Sequence, residues 1–206
     1  MLIKCLPVGH LETNCYVVAD EITLECAIID PGAEATTILN YIEERRLAPR
    51  AIFITHAHFD HIMALPALDE ELRVPVYVHP KELAGETSRS EAKLSAAFDL
   101  REYKDGDTVD VGGLSFGVIE TPGHTPGGVT LLCGDALFTG DTLFKDSCGR
   151  TDLGGDMDVL LASLRKLAAL PGDFEVYPGH AEATTLENER RFNYYVRYAL
   201  GSFPAQ

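Results

Sequence analysis

The chain has no Cys-x-x-Cys pair, no basic stripe, no internal repeat and no low-complexity tract. It also has no apolar run near the ~20 residues that span a bilayer. Each absence removes a class of function. The five cysteines, Cys5, Cys15, Cys26, Cys133 and Cys148, are odd in number and widely spaced. That argues against a disulfide framework or a thiolate zinc site. Four lie in apolar, strand-like runs, where cysteine acts as a small core residue; Cys148, in "SCGRTD", is the exception. Basic residues are scarce: 17 Lys and Arg against 32 Asp and Glu give a net charge of −15. Nucleic-acid binders carry a basic face, and so do proteins held on anionic membranes. Neither partner is expected. The start, "MLIKCLPVGHLETNC", lacks the long apolar stretch and small-residue cleavage site of a signal peptide, so a cytoplasmic location is expected.

What remains is the make-up of an ordinary folded protein. Apolar residues are 46% of the 206 and charged residues 24%, which excludes disorder except locally. A chain of this length buries a substantial core without disulfide or metal staples. A single domain over residues 1–206 is expected.

Short apolar runs separated by turn residues predict strands at "LIKCLPVG", "NCYVVAD" and "ECAIIDPG". Helical spacing of Ile38, Tyr41 and Ile42 predicts a helix over 33–47. "RAIFIT" reads as a buried strand, followed by a histidine turn and a short helix, and residues 74–80 as another strand. Residues 85–107 are polar and weakly periodic, either a mobile helix and loop over a site or a connector. "TVDVGGLSFGVIETPG" reads as a hairpin turning at Gly-Gly, and "GGVTLLCGDALFTGDTLF" as two more strands. Residues 157–170 form an amphipathic helix stopped by Pro171-Gly172. "FEVYP" is a last strand, and a helix over 183–200 follows. The expected architecture is α+β: two packed, mixed β-sheets with helices on both outer faces.

Residues 55–61 read "THAHFDH". Three of the chain's seven histidines, His56, His58 and His61, crowd here with Asp60 just after the run Ala51–Ile54. Side chains two apart do not share a helix face. At a strand end or in a turn they converge, so His56 and His58 can serve one metal ion while Asp60 and His61 serve a neighbour. This is not the HExxH helix of zinc proteases. His124 in "TPGHTPGG", Asp141 after "ALFTG" and His180 after "FEVYPG" each lie just beyond an apolar run with turn chemistry beside it. They can meet the first group along one rim of the sheets. An all-imidazole and carboxylate set suits zinc, manganese or iron rather than copper(I). His10 and His79 stand alone and read as structural or solvent-exposed.

"THAHFDH", "TPGHTPGG", "FTGDTLF", "GRTD" and "YPGH", in that order, resemble the metallo-β-lactamase superfamily, and most closely its hydroxyacylglutathione hydrolase (glyoxalase II)-like branch. The resemblance implies a four-layer αββα sandwich around a dinuclear centre of two divalent ions, most simply Zn2+, with iron or manganese also compatible. It implies His56, His58 and His124 on the first ion, Asp60, His61 and His180 on the second, and Asp141 bridging them. Two such ions outweigh the charges of Asp60, Asp141 and a hydroxide, leaving a positive well inside an acidic protein. They give a hydroxide nucleophile near neutral pH, with Asp60 also able to take or shuttle the water's proton. The expected reaction is hydrolysis of a small thioester such as S-lactoylglutathione.

The chain departs from glyoxalase II proper in two ways. Only a short tail follows His180, so the glutathione-gripping helical region is largely missing and the resemblance is to the short bacterial type. "CGRTDLGG" stands where a "CGKFYEG"-like segment is expected. Arg150 could hold a substrate carboxylate or pair with Asp152; Lys145 could bind anions or lie on the surface. "CGRTD" also resembles the iron-dependent persulfide dioxygenases of the same superfamily, whose later pattern is nearer "YPAH" than the "YPGH" found here. Lactonase and β-lactamase activity stay open. The aromatics Phe192, Tyr194, Tyr195 and Tyr198 are expected to pack on the sheet, or else to form a dimer contact; monomer and homodimer are both compatible.

Overall fold

Both faces of the first strands are apolar, and the alternation of their side chains decides the layering. In β2 (Thr13–Ala19), Cys15, Val17 and Ala19 enter one buried cluster, Tyr16 and Val18 another. β3 (Glu25–Ile29) divides in the same way, as does β4 (Ala48–Ile54), with Ile52 and Ile54 on one side and Ala51 and Phe53 on the other. A computed structural model of the chain describes residues 1–83, 94 and 98–202.

The first sheet has the order β1 (Leu2–Val8), β2, β3, β4, β5 (Val76–Val78), β6 (Leu100–Glu102). β1 to β3 are antiparallel and β3 to β6 parallel. Its outer face is covered by α1 (Ala35–Glu44), α2 (Phe59–Ile62) and α3 (Leu65–Leu72), through Ile38, Ile42, Ile62, Leu65 and Leu68. A short α4 (Pro80–Leu83) follows β5.

The second sheet contains β7 (Thr108–Val111), β8 (Leu114–Glu120), β9 (Val129–Cys133) and β10 (Ala136–Gly140). After a small hairpin of β11 (Leu143–Phe144) and β12 (Ser147–Cys148) and the helix α5 (Met157–Ala168), β13 (Glu175–Pro178) and β14 (Thr184–Thr185) complete it. Its order is β14-β13-β10-β9-β8-β7. The Gly-Gly hairpin is present, with Gly112 in the left-handed region at φ 59°. β9 is antiparallel to both β8 and β10, and β10 is parallel to β13. β8, β10 and β13 therefore run in one direction and end at one edge.

The faces of the two sheets meet in a core where Phe53 lies 5.0 Å from Phe116 between ring centroids. Behind the second sheet, Leu137 and Val176 pack against Leu160, Leu164 and Leu167 of α5, Leu186 of α6 (Leu186–Phe192) and Val196 of α7 (Tyr194–Ala199). Three apolar interfaces separate four layers, αββα. Each fully buried Leu, Ile or Phe contributes ~1.5–3 kcal/mol.

Three expectations change. The final helix is two helices: Asn193 is extended (φ −65°, ψ 121°), caps α7 by accepting from Tyr195 N and Val196 N, and donates to Phe144 O and Ser147 O. A continuous helix would break that link to the β11–β12 hairpin. Phe192, Tyr194 and Tyr198 are 65%, 56% and 55% exposed, so of the four aromatics Tyr195 alone packs on the inner cluster. Within the stretch 85–107, residues 85–93 and 95–97 lie outside the described residues, while 100–102 form strand β6 and Tyr103 is buried, its hydroxyl donating to Ile54 O at 2.6 Å. No helix among the described residues is long and apolar enough to cross a membrane.

Candidate metal centre

The parallel run of β8, β10 and β13 delivers His124, Asp141 and His180 to one edge, and β4 delivers "THAHFDH" from the facing sheet. His56 lies two residues past β4, His58 caps α2, and Asp60 and His61 lie in α2 itself. Seven side chains from two sheets thus meet.

They form two groups. Nitrogens of His56, His58 and His124 lie within 4.8 Å of one another, as do ligand atoms of Asp60, His61 and His180. His124 Nε2 stands 2.9 Å from His58 Nδ1. His180 Nε2 stands 3.2 Å from Asp60 Oδ2, and His61 Nε2 3.6 Å from the same oxygen. Asp141 lies between the groups. Its Oδ2 is 3.5 Å from His124 Nε2, 3.9 Å from His56 Nε2 and 3.6 Å from His180 Nε2, while Oδ1 is 3.5 Å from His61 Nε2.

The rings are held from behind. His56 Nδ1 meets Thr55 Oγ1 at 3.1 Å, His61 Nδ1 meets Asp30 Oδ2 at 3.0 Å, His124 Nδ1 meets Arg150 O at 2.6 Å and His180 Nδ1 meets Leu11 O at 3.0 Å. Such partners fix ring orientation and leave the opposite nitrogen facing inward. Asp30 was not anticipated from the sequence. It also accepts from Thr55 N and Oγ1 at 2.7 and 2.6 Å, so it orients both groups at once. Its one local signal is its place at the end of a buried strand, before Pro31-Gly32.

Whether these residues suit cations is decided by what the inward atoms lack. Five buried side-chain N or O atoms among the described residues have no hydrogen-bond partner, and four belong to these residues: His56 Nε2, His61 Nε2 and Asp141 Oδ1, which face one another across the centre, and His58 Nε2, the other ring nitrogen from the Nδ1 that meets His124. Leaving each unmet costs ~1–3 kcal/mol. Cations between the groups would engage the inward-facing atoms, and the all-His and Asp donor set fits two divalent ions.

The protonation states differ between the groups. Burial and the neighbouring imidazoles hold His56 well below its usual value, and burial pushes His58 down to about 4. Burial opposes charge on His61 too, but the carboxylates of Asp141 and Asp30 outweigh it and raise it to about 9. His180 is also raised, Asp60 outweighing its burial. Burial works against the charge of Asp60, yet His180 and His61 hold it far below the carboxylate range.

A cavity of about 910 Å³ opens beside the cluster, its wall including Leu11, Phe59, Phe144 and Leu153. Arg150 lines it, its guanidinium paired with Asp152 at 2.6 and 2.5 Å. Lys145 is not on that wall; it pairs with Glu182 on the surface at 2.5 Å. Cys148 does line the cavity, but burial pushes its thiol up to about 11, so it is protonated at neutral pH. His10 is exposed, and His79 is buried with Nε2 3.0 Å from Glu120 Oε1.

The chain is similar to known proteins. The family model described as "Metallo-beta-lactamase superfamily" matches residues 8–180. Hydroxyacylglutathione hydrolase GloC of Haemophilus influenzae is 32% identical, with 94% of this chain and 97% of that protein covered. The solved structure of BLEG-1 B3 metallo-beta-lactamase is 36% identical with a TM-score of 0.87, covering 95% of this chain and 99% of that one. That of TTHA1623 in a di-iron-bound form is also 36% identical, with a TM-score of 0.80 and coverage of 93% and 99%. With its αββα layers and its histidine and aspartate cluster at the strand ends, the chain belongs to the metallo-beta-lactamase superfamily.

Proposed function

We propose that the chain is a dinuclear metallo-hydrolase that cleaves a small thioester of the S-lactoylglutathione kind. The observation that carries this reading is Asp141, whose two oxygens face the two ligand groups at 3.5–3.9 Å. His56, His58 and His124 would hold one ion, Asp60, His61 and His180 the other, and Asp141 both. Bound there, two divalent ions supply a hydroxide at neutral pH and polarise an acyl oxygen.

The chain's own residues do the rest. Asp60 Oδ2, fixed by Thr13 Oγ1 at 3.1 Å and by His180, can accept a hydrogen bond from the attacking water and orient it. Leu11, Phe59, Phe144 and Leu153 would give the substrate an apolar surface beside the scissile bond. A thiol with a pKa near ~8.5 leaves without a strong general acid. A substrate carboxylate would take Asp152's place on Arg150, an exchange between exposed ions that costs little. The likeness to the Haemophilus GloC protein supports the thioester; the likeness to BLEG-1 makes a β-lactam the second substrate to try.

The test is a hydrolysis screen of S-lactoylglutathione, other thioesters, lactones and a β-lactam, run with metal quantification. Thioester cleavage with two ions per chain is expected. Metal-loaded protein inert on every thioester would overturn the reading. One iron per chain with oxygen uptake on glutathione persulfide would move it to the dioxygenases.

A further inference from the structure

The backbone of Gly179, in "YPGH", does not require glycine, since its φ lies outside the left-handed region. Space does. A Cβ there would stand 2.2 Å from Asp141 Oδ1, 2.8 Å from His61 Cε1 and 3.1 Å from the carbonyl carbon of Gly140. None of these three nearest atoms belongs to His56, His58 or His124. The residue cannot back away: Gly179 N donates to Gly140 O at 2.8 Å, and Asn14 N donates to Gly179 O at 2.7 Å. His61 cannot yield easily either, being fully buried and held by Asp30 at 3.0 Å.

We infer that Gly179 is the positioning residue that sets metal nuclearity: the missing side chain leaves the space in which Asp141 Oδ1 faces His61 and completes the second ion's site. A methyl group would drive Oδ1 away by more than an ångström to reach ordinary contact. It would press on His61 and leave the group of His56, His58 and His124 in place. The inference rests on the two-ion reading above.

The probe is Co2+ alone, titrated into metal-free protein and followed by visible absorption and equilibrium dialysis. The wild type is expected to bind two ions. Gly179→Ala is expected to bind one, the second site weakening at least a hundredfold and the first by less than threefold. A wild type that binds one ion defeats the two-ion reading. A two-ion wild type with a Gly179→Ala variant that also binds two at unchanged affinity defeats this inference alone. Thermal melting of the metal-free proteins guards against a merely structural effect. Gly179→Ala should lower Tm less in an Asp141→Ala background than in the wild type, because the clash partner is gone. If Gly179→Ala alone fails to fold, folding of the double variant supports the inference and its failure overturns it. Equal loss of Tm in both backgrounds also overturns it.

Discussion

Asp30 faces His61 and, through Thr55, His56, so one buried carboxylate aims a ring in each of the two groups. Asp30→Ala should therefore weaken metal binding ~10–100-fold while the ligands themselves remain; unchanged affinity in equilibrium dialysis would remove this role. His58→Ala or Asp141→Ala should lose metal and hydrolysis together, and full activity with normal metal content in either would undo the ligand assignment. Protons distinguish the two groups. His58, pushed down to about 4, is neutral at pH 7.5, whereas His61, raised to about 9, carries a proton that an incoming ion must displace. Loading the Asp60–His61–His180 group should release more protons than loading the other. Calorimetric titrations in buffers of different ionisation enthalpy measure this, and equal release at both steps contradicts it. The histidine alternation was legible because it is local. Asp30 was not, because its partners lie 25 and 31 residues away along the chain. The "YPGH" glycine was legible as a pattern only; that a methyl would collide with Asp141 appears once β10 and β13 are paired.

At the scale of elements, two loops must approach each other to bring His56, His58 and His124 together. Glu82, on α4 and 6% exposed, accepts from Ala57 N at 2.8 Å and from Gly127 N at 2.7 Å, tying one loop to the other. Glu82→Gln would turn an amide donor toward one of those N–H groups. It should cost ~1–3 kcal/mol in chemical denaturation and weaken the first ion more than the second; equal weakening of both would contradict the loop-tie role. Asn193 does similar work for α6, α7 and the β11–β12 hairpin, which carries the Phe144 and Cys148 side chains to the cavity. The longer strands, α1 and α5 were readable from periodicity, as was the Gly-Gly hairpin. The β11–β12 hairpin, the strand β14 at residues 184–185 inside the expected helix, the break at Asn193 and the edge strand β6 were not. The break at Asn193 depends on carbonyls more than forty residues away, and β6 on the open edge of β5.

At the scale of the whole molecule, stability and metal binding are separable. Phe53 is fully buried between the sheets, so Phe53→Ala should cost ~3–5 kcal/mol yet leave metal stoichiometry unchanged in the folded fraction. Chelation should lower Tm reversibly, because ligands that bind only the folded state stabilise it by mass action. Taken alone, the order of residues determined the alternating strands, the amphipathic helices and a histidine and aspartate set placed just past strand ends, since each depends on near neighbours and backbone period. The tertiary structure decided the rest: which strands run parallel, and so which loops share an edge; that Asp141 stands between two groups; that Arg150 is paired while Lys145 lies off the cavity; that Asp30 and Glu82 hold the loops and rings of the centre; and that a side chain at Gly179 would meet Asp141. Those outcomes depend on contacts between distant segments, which exist only after the sheets have packed.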